Sequence, residues 1–215
     1  MTIDAQDLVN SIMASFDRIE LIKSEEIPGI DLYVDQVTTF MERKLKNTTR
    51  DPARDKILTK TMINNYAKNN LLPPPIKKKY SKEHVLLLIF IYYYKNVLSI
   101  TDIQTLLKPI TEQYFGKSDE PNLQMIYDEV FKLQDEQVER LKADVMEKYK
   151  LSEQTFTQSG EQMTESEKEF LQKFSFICLL SFDVYVKKLL IEKVIDTLTP
   201  SGDPDGKDNR SKEKK

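Results

Sequence analysis

Apolar side chains recur at intervals of three and four residues along most of the chain, whereas β-branched residues seldom alternate with polar ones. The first spacing is typical of amphipathic α-helices, and alternation would be needed for half-buried strands. The longest apolar run, residues 85–94, is shorter than the roughly 20 residues that span a bilayer, so we interpret it as a buried helix. The pattern therefore predicts an all-α, mainly helical protein with no membrane span.

Capping residues and helix breakers set the limits of the predicted helices. Thr59, Ser81 and Ser99 suit N-cap positions, and Asn70 suits the left-handed residue that ends a helix. Pro109 is expected to end the fifth helix before it. The predicted helices are residues 3–22, 33–45, 59–70, 82–98, 100–107, 121–149 and 167–198, with a linker at 111–121 and a loop at 151–166.

Positive charge is concentrated in one part of an acidic chain. The 215 residues include 32 basic and 35 acidic side chains, for a net charge of −3. Residues 56–82 nevertheless contain seven lysines and no carboxylate. A block of this kind predicts an anionic partner, either nucleic acid or an acidic protein surface.

Residue types that support catalysis or metal binding are scarce. The chain has one histidine, His84, and one cysteine, Cys178, and its five glycines are too dispersed for a phosphate-binding loop. We interpret His84 as a structural residue in the first turn of its helix. The sequence predicts no enzymatic activity, no cofactor and no metal site. The single cysteine and the absence of a secretory pattern at the N-terminus favour a cytoplasmic protein.

The predicted third helix has one polar side and one apolar side. At 100° per residue the polar side forms a continuous arc without an acidic residue. Asparagine can pair with adenine through two hydrogen bonds, and lysine and threonine can bind phosphates. We therefore expect this helix to pack its apolar side on the core and to offer its polar arc to DNA. The arc comprises Lys60, Thr61, Asn64, Asn65 and Lys68.

A stiff basic segment follows this helix. Residues 73–75 are three prolines, which favour an extended polyproline conformation. Lys77, Lys78 and Lys79 follow, and then Tyr80. A recognition helix, a stiff connector and a basic rim in this order indicate a winged helix-turn-helix.

The order of elements resembles the DNA-binding domain of the MerR family over roughly residues 30–107. That domain has a helix, a second helix ending in Tyr-Tyr-x-x-x-Gly-Leu-Leu-x-Pro, a wing ending in Tyr-Arg-x-Tyr, and two further helices. The corresponding residues in this chain are Asn65, Tyr66, Asn70, Leu71, Leu72, Pro74, Lys78 and Tyr80.

Three features differ from the MerR pattern. The wing segment is shorter and lacks an Asn-Gly turn, which leaves open whether two strands form. The connection before the third helix is longer, and Asn64 stands where that family has an arginine. Across nearly its full length the chain is also similar to the YkrK-like family, whose members are suspected transcriptional regulators, with residues 31–41 and 58–84 as the most similar segments.

The resemblance implies a winged helix-turn-helix domain at residues 28–110, preceded by a helix within 1–27. A helical region at 111–199 would dimerise or sense an effector, and the polar tail at 200–215 is expected to be disordered. The implied function is sequence-specific binding to double-stranded DNA in the control of transcription. Residues 59–69 would enter the major groove, and the loop at 77–80 would lie on the flanking backbone.

Each candidate site residue has an expected role in this interpretation. Asn64 and Asn65 are the candidates for base contacts. The candidates for phosphate contacts are Lys60, Thr61, Lys68, Lys77, Lys78 and Lys79, and Tyr80 completes the basic rim.

The C-terminal helical region predicts further partners. The last helix is apolar on nearly all sides over about 45 Å, which predicts a homodimer, and the helical region leaves room for a small-molecule effector of unknown identity.

Two other functions fit the same sequence. The basic face could bind an acidic protein partner with no nucleic acid involved. Alternatively, the protein could bind a small molecule in a pocket lined by the aromatic residues within 92–94 and 170–182. Competition by bulk duplex DNA would separate DNA binding from binding to an acidic partner, whereas salt dependence would not, because both interactions are electrostatic.

Overall fold

The computed structural model describes residues 5–16, 21–51, 53–135, 137–157 and 163–198. Within these ranges the protein is mainly helical, as the hydrophobic pattern predicted, with one small antiparallel sheet. Short 3₁₀ turns occupy Ser24–Glu26 and Lys46–Thr48, and the strands are β1 (Leu32–Tyr33) and β2 (Lys79–Tyr80). The helices are α1 (Ala5–Phe16), α2 (Val34–Leu45), α3 (Lys60–Lys68), α4 (Lys82–Tyr94), α5 (Ile100–Tyr114), α6 (Leu123–Asp135), α7 (Val138–Glu153) and α8 (Glu165–Leu198).

Helix α4 lies at the centre of the core. Its residues from His84 to Tyr92 are all buried, which requires packing on every side of the helix. Residues of α2, α3, α5 and α6 complete the core around it. The prediction of a buried helix at residues 85–94 is therefore confirmed. Among the described residues, no helix is both long enough and apolar enough to cross a membrane.

The core unit begins at Ile22 and ends in α6. The hydroxyl of Tyr127 in α6 donates a hydrogen bond to the carbonyl oxygen of Ile22 and so joins the two ends of the unit. Apart from Ile195 of α8, every described residue buried in the main hydrophobic cluster lies between positions 22 and 131. The sequence predicts a DNA-binding domain at residues 28–110. The unit that packs together is larger, because it also includes α6.

Both ends of α3 carry the capping residues expected from the sequence. The hydroxyl of Thr59 accepts a hydrogen bond from the backbone N–H of Met62 at 3.1 Å, as an N-cap does. Asn70 adopts the left-handed conformation with φ of 55°. The N–H groups of Asn70 and Leu71 bond back to carbonyl groups of the last helical turn, which is the Schellman arrangement. Local sequence thus fixes the length of this helix.

Residues 76–79 form a two-residue β-hairpin, which we call the lysine hairpin. Ile76 and Lys79 exchange two backbone hydrogen bonds of 3.1 and 2.9 Å, and Lys77 and Lys78 form the turn between them. Lys79 then continues into β2, which pairs antiparallel with β1. The sequence left open whether strands form in this segment, and the structure shows a hairpin of minimal length.

Helix α5 is longer than predicted. It was expected to end before Pro109, but it continues through this residue to Tyr114. Pro109 is exposed, so water can solvate the carbonyl group that loses its hydrogen-bond donor. Ile110 and Tyr114, which follow the proline, still pack against the core and hold the last turn in place. The predicted linker at 111–121 accordingly starts later.

Other predicted boundaries also differ. The helix predicted at 121–149 is two helices, α6 and α7, because the polar run after Leu133 offers no apolar residue to pack, and Pro121 precedes α6. The helix predicted at 3–22 has ended before residue 21. The last helix begins two residues earlier than predicted and ends at Leu198 as expected. The tail at 200–215, predicted to be disordered, lies outside the described residues.

Helix α8 packs along α7. Lys148 of α7 forms ion pairs with Asp144 in its own helix and with Asp183 of α8, the second at 2.9 Å. Tyr149 of α7 and Phe176 of α8 meet edge to face, with ring centroids 5.5 Å apart. These contacts fix which side of α8 faces the rest of the protein.

Candidate nucleic-acid interface

Helix α3 presents its polar side to solvent. On its other side Ile63 and Tyr66 are buried in the core and Met62 packs partly buried against it, as the helical spacing predicted. The arc itself contains no acidic residue, so amide, hydroxyl and ammonium groups share one exposed face. The exposed residues of the arc are Lys60, Thr61, Asn64, Asn65 and Lys68.

The turn of the lysine hairpin has a backbone conformation that lysine rarely adopts. Lys77 and Lys78 have φ of 51° and 65°, both in the left-handed region. A two-residue turn of this kind usually carries asparagine and glycine, which tolerate positive φ. Here two exposed ammonium side chains extend from the tip of a short, hydrogen-bonded turn. Strain of this kind is a reason to look for a role of the side chains concerned.

Two contacts place the lysine hairpin beside the start of α3. The ammonium group of Lys79 lies 5.3 Å from the ring centroid of Tyr33, which is a cation–π contact. Lys60, in the first turn of α3, forms an ion pair with Asp35. Because Tyr33 and Asp35 lie together at the N-terminus of α2, both lysines meet the same turn of that helix. We call the arc of α3 and the lysine hairpin together the basic surface.

Asp35 is a component of the basic surface that the sequence pattern did not reveal. The arc of α3 has no acid of its own, but this carboxylate from α2 pairs with Lys60. The two side chains are 64% and 59% exposed, so the pair is solvent-screened and weak. A phosphate that approaches Lys60 must compete with Asp35, which makes Lys60 a weaker candidate for a phosphate contact than the sequence indicated.

Tyr80 differs from the other candidate residues because its side chain belongs to the core. It is 3% exposed, and its ring packs edge to face on His84 with centroids 5.4 Å apart. Lys77 and Lys78 are exposed, and Lys79 is partly buried against β1. The side chain of Tyr80 therefore packs in the core beneath the hairpin and is not exposed beside the lysines.

His84 connects the proline segment to α4. Its Nδ1 accepts a hydrogen bond from the backbone N–H of Ser81 at 3.0 Å, and the Ser81 hydroxyl lies at 2.8 Å, so the neutral ring carries its proton on Nε2. Nε2 is buried near the carbonyl groups of Pro74 and Pro73, without a hydrogen bond of normal geometry. Burial lowers the pKa of His84, although these carbonyls and Asp31 oppose the shift. The neutral ring thus has the structural position expected of it.

The structure contains an apolar cavity of about 420 Å³ between the end of α4, α5 and the end of α8. Of the aromatic residues expected to line a pocket at 92–94 and 170–182, Tyr94 alone lines this cavity. Phe170 and Phe182 are exposed on α8 instead. The part of the chain that the structure describes contains no cluster of His, Cys, Asp or Glu side chains that could hold a metal ion.

The described residues define a mainly helical protein whose core unit carries a capped polar helix and a basic hairpin against one turn of α2. The same unit, residues 22–131, matches the family described as "Domain of unknown function (DUF1836)". The match covers just over half of the chain, and the protein belongs to this family. No curated protein and no solved structure matches the chain.

Proposed function

We propose that the protein is a cytoplasmic, non-enzymatic transcriptional regulator that binds double-stranded DNA sequence-specifically through the basic surface. The observation that carries the proposal is the meeting of Lys79 and Lys60 at one turn of α2, which unites the arc of α3 with the lysine hairpin. At DNA, phosphate contacts position a protein and base contacts supply specificity. A surface that combines amides on a helix with ammonium groups beside it suits this division.

Helix α3 is the recognition helix in the proposal. Asn64 and Asn65 are exposed and uncharged. An asparagine amide can recognise adenine through two hydrogen bonds, because its NH₂ group donates to N7 and its oxygen accepts from the N6 amino group. Thr61 lies about one turn before the two asparagines and Lys68 about one turn after them, and both bond phosphates at the edges of the major groove. The capped ends of the helix keep these side chains in a fixed relation to one another.

The lysine hairpin contacts the flanking DNA backbone. Lys77 and Lys78 supply the phosphate contacts, because both are exposed and held at the tip of the turn. Lys79 contributes less, since its ammonium group already rests on Tyr33. Lys60 reaches a phosphate only after leaving Asp35.

The MerR-like resemblance supports this assignment of roles. In that comparison α2 and α3 are the helix pair, the lysine hairpin is the wing, and α4 and α5 are the two helices that follow. The similarity to suspected regulators of the YkrK-like family points the same way. The long segment between α2 and α3 differs from a tight helix-turn-helix connection, and the proposal relies on the basic surface and not on that segment.

A salt titration of variants on two duplexes tests the proposal. Replacing Lys77, Lys78 and Lys79 together with Ala should weaken binding to every duplex and reduce the slope of log K against log salt by roughly two to three. Replacing Asn64 or Asn65 with Ala should leave the slope unchanged. It should weaken binding to a duplex selected from a random pool by about 1–3 kcal/mol and to a scrambled duplex hardly at all.

The matched control for the lysine variant removes the same charge elsewhere. Lys150 of α7 and Lys187 and Lys193 of α8 are exposed, and their replacement with Ala should leave the salt slope as in the wild type. An unchanged slope for the hairpin variant would mean that the hairpin does not bind DNA. A competition experiment separates DNA binding from binding to an acidic protein. If an acidic protein binds the basic surface and excess bulk duplex DNA does not displace it, the basic surface binds that protein and not DNA. If both asparagine variants discriminate the duplexes as well as the wild type, α3 is not the reader.

A further inference from the structure

Helix α8 carries a continuous uncharged stripe on the side that faces away from α7. Its members recur at spacings of three and four, so they follow one side of the helix for about 22 Å. All of them are exposed, and none is charged. This α8 stripe comprises Phe170, Phe174, Ile177, Cys178, Ser181, Phe182 and Tyr185.

The rotation of α8 leaves the stripe without a partner within the described chain. Phe176 is buried against Tyr149 of α7, and Asp183 is paired with Lys148 of the same helix. These residues occupy the side of α8 opposite the stripe. The exposed fractions within the stripe reach 66% at Phe170 and 65% at Phe182, which is unusual for a row of phenylalanines.

The segments on either side of α8 offer no large apolar residue to cover the stripe. Residues 158–162 and 199–215, on either side of α8, contain no Leu, Ile, Val, Met or aromatic residue. A lipid surface is also a poor match, because helices that lie on membranes are rich in Lys and Arg. Helix α8 carries six acidic and five basic side chains, which gives it a net charge of −1.

The area of the stripe agrees with the requirement of a stable dimer. An aromatic side chain offers roughly 150–250 Å², so the half- to two-thirds-exposed members of the stripe together present on the order of 700 Å². A protein–protein interface of standard size buries about 800 Å² on each partner. A second copy of the same stripe would therefore supply nearly the whole of such an interface.

The charges that flank the stripe favour an antiparallel pairing. Glu167 lies three residues before Phe170, and Lys188 lies three residues after Tyr185, so the stripe has opposite charges at its two ends. If two copies pair antiparallel about the middle of the stripe, each Glu167 lies opposite Lys188 of the partner. A parallel pairing would place like charges opposite each other at both ends.

We propose that the α8 stripe is a self-association surface, and that two copies of the protein pair through it with their α8 helices antiparallel about a two-fold axis near Ile177 and Cys178. The proposal is independent of DNA binding.

Oligomeric state measured by light scattering tests the surface. The wild type should have twice the mass of the 25.2 kDa chain at micromolar concentration. Ile177→Glu, in the middle of the stripe and 58% exposed, should give a monomer. Leu190→Glu is the matched control, because Leu190 is 61% exposed on the same helix but outside the stripe, and this variant should stay dimeric. Circular dichroism would establish that both variants keep the wild-type helix content.

Cross-linking tests whether the two α8 helices run antiparallel, and it does not rely on a variant that disrupts the dimer. Cys178 is the only cysteine of the chain, so a short bismaleimide should convert the wild type to covalent dimers. In a Cys178→Ser background, Phe170→Cys and Tyr185→Cys should each remain uncross-linked when expressed alone. The two proteins should cross-link to each other when they are co-expressed with different tags.

Three results would overturn the proposal. A wild type that is monomeric at micromolar concentration has no self-association surface, and flotation of that monomer with phosphatidylcholine–phosphatidylglycerol vesicles would assign the stripe to lipid. A dimer that survives Ile177→Glu but not Leu190→Glu uses a different side of α8. Cross-linking of Phe170→Cys or of Tyr185→Cys alone would show a parallel pair.

Discussion

Lys77 and Lys78 hold adjacent backbone positions that asparagine and glycine would occupy with less strain. Left-handed conformations cost an L-residue with a Cβ roughly 1–2 kcal/mol, since the Cβ approaches the following carbonyl oxygen. The hydrogen bonds between Ile76 and Lys79 hold the turn closed despite this strain. At this position the charge of the side chains and the stability of the backbone are therefore in conflict.

This conflict predicts opposite effects on stability and binding. Lys77→Asn combined with Lys78→Gly should raise the free energy of unfolding by about 1–2 kcal/mol, because an Asn-Gly turn relieves the strain. The same change should lower the salt slope of DNA binding by about two. Lys77→Ala with Lys78→Ala is the control, which loses the same charges but keeps the strain, so it should bind equally weakly without a gain in stability. Urea unfolding and salt titration measure the two quantities.

Asp35 limits the positive potential of the basic surface. Asp35→Asn should free Lys60 for a phosphate, and we expect several-fold tighter binding to any duplex and a salt slope steeper by about one. Asp119→Asn makes the same charge change at an exposed residue between α5 and α6 and should leave the slope unchanged. Equal binding by the wild type and the Asp35 variant would mean that Lys60 does not reach the DNA.

His84 links acidity to stability. Burial lowers its pKa in the folded protein, so below about pH 6.5 the unfolded chain binds more protons than the folded one. Stability should then be fully present above that pH and fall as the pH drops towards the folded pKa, by at most about 1.4 kcal/mol per pH unit. Protonation of Nδ1 would also break the bonds to Ser81 at the start of α4.

Unfolding by urea between pH 5 and 8 measures this effect. His84→Gln keeps a side chain able to cap α4 but cannot become charged, so its stability should change less over the lower half of the range. If the wild type and His84→Gln lose stability in parallel, the histidine is not the group responsible.

At the scale of the element, α5 shows packing that overrides a local preference. A proline inside a helix costs about 3 kcal/mol relative to alanine, yet α5 continues because Ile110 and Tyr114 pack against the core beyond it. The local sequence predicted a helix end before Pro109, because it does not show that residues after the proline pack against the core.

Pro109→Ala should therefore stabilise the protein by about 1–3 kcal/mol. The substitution restores the missing N–H donor, and the exposed position leaves room for the alanine. Lys108→Ala, at the preceding exposed position, should change the free energy of unfolding by less than about 0.5 kcal/mol. Thermal and urea unfolding of both variants compare the two; a loss of stability in Pro109→Ala would show that the proline relieves an unrecognised clash.

At the scale of the whole molecule, self-association through the α8 stripe should couple stability to concentration. If folding and pairing are linked, the Tm of the wild type should rise by a few degrees for each tenfold increase in protein concentration. Ile177→Glu should have a Tm that does not depend on concentration. A concentration-independent Tm in both proteins would mean that the paired and unpaired chains unfold alike.

The sequence by itself determined the features that depend on neighbours along the chain. Helical spacing predicted the class of fold, the buried position of α4 and the division of α3 into a polar and an apolar side. Thr59 and Asn70 predicted both ends of α3, because their side chains and backbone preferences act on the adjacent turn. These local interactions would act in a similar way in any protein that contained the same stretch.

Only the tertiary structure decided which distant residues meet. The pairing of Lys60 with Asp35, the contact of Lys79 with Tyr33 and the burial of Tyr80 all depend on how α2 lies against α3 and the hairpin. The spacing of apolar residues within one element carries no information on the neighbour that it packs against. The same reason explains why the sequence indicated an apolar last helix, whereas packing on α7 decided which side of it stays exposed.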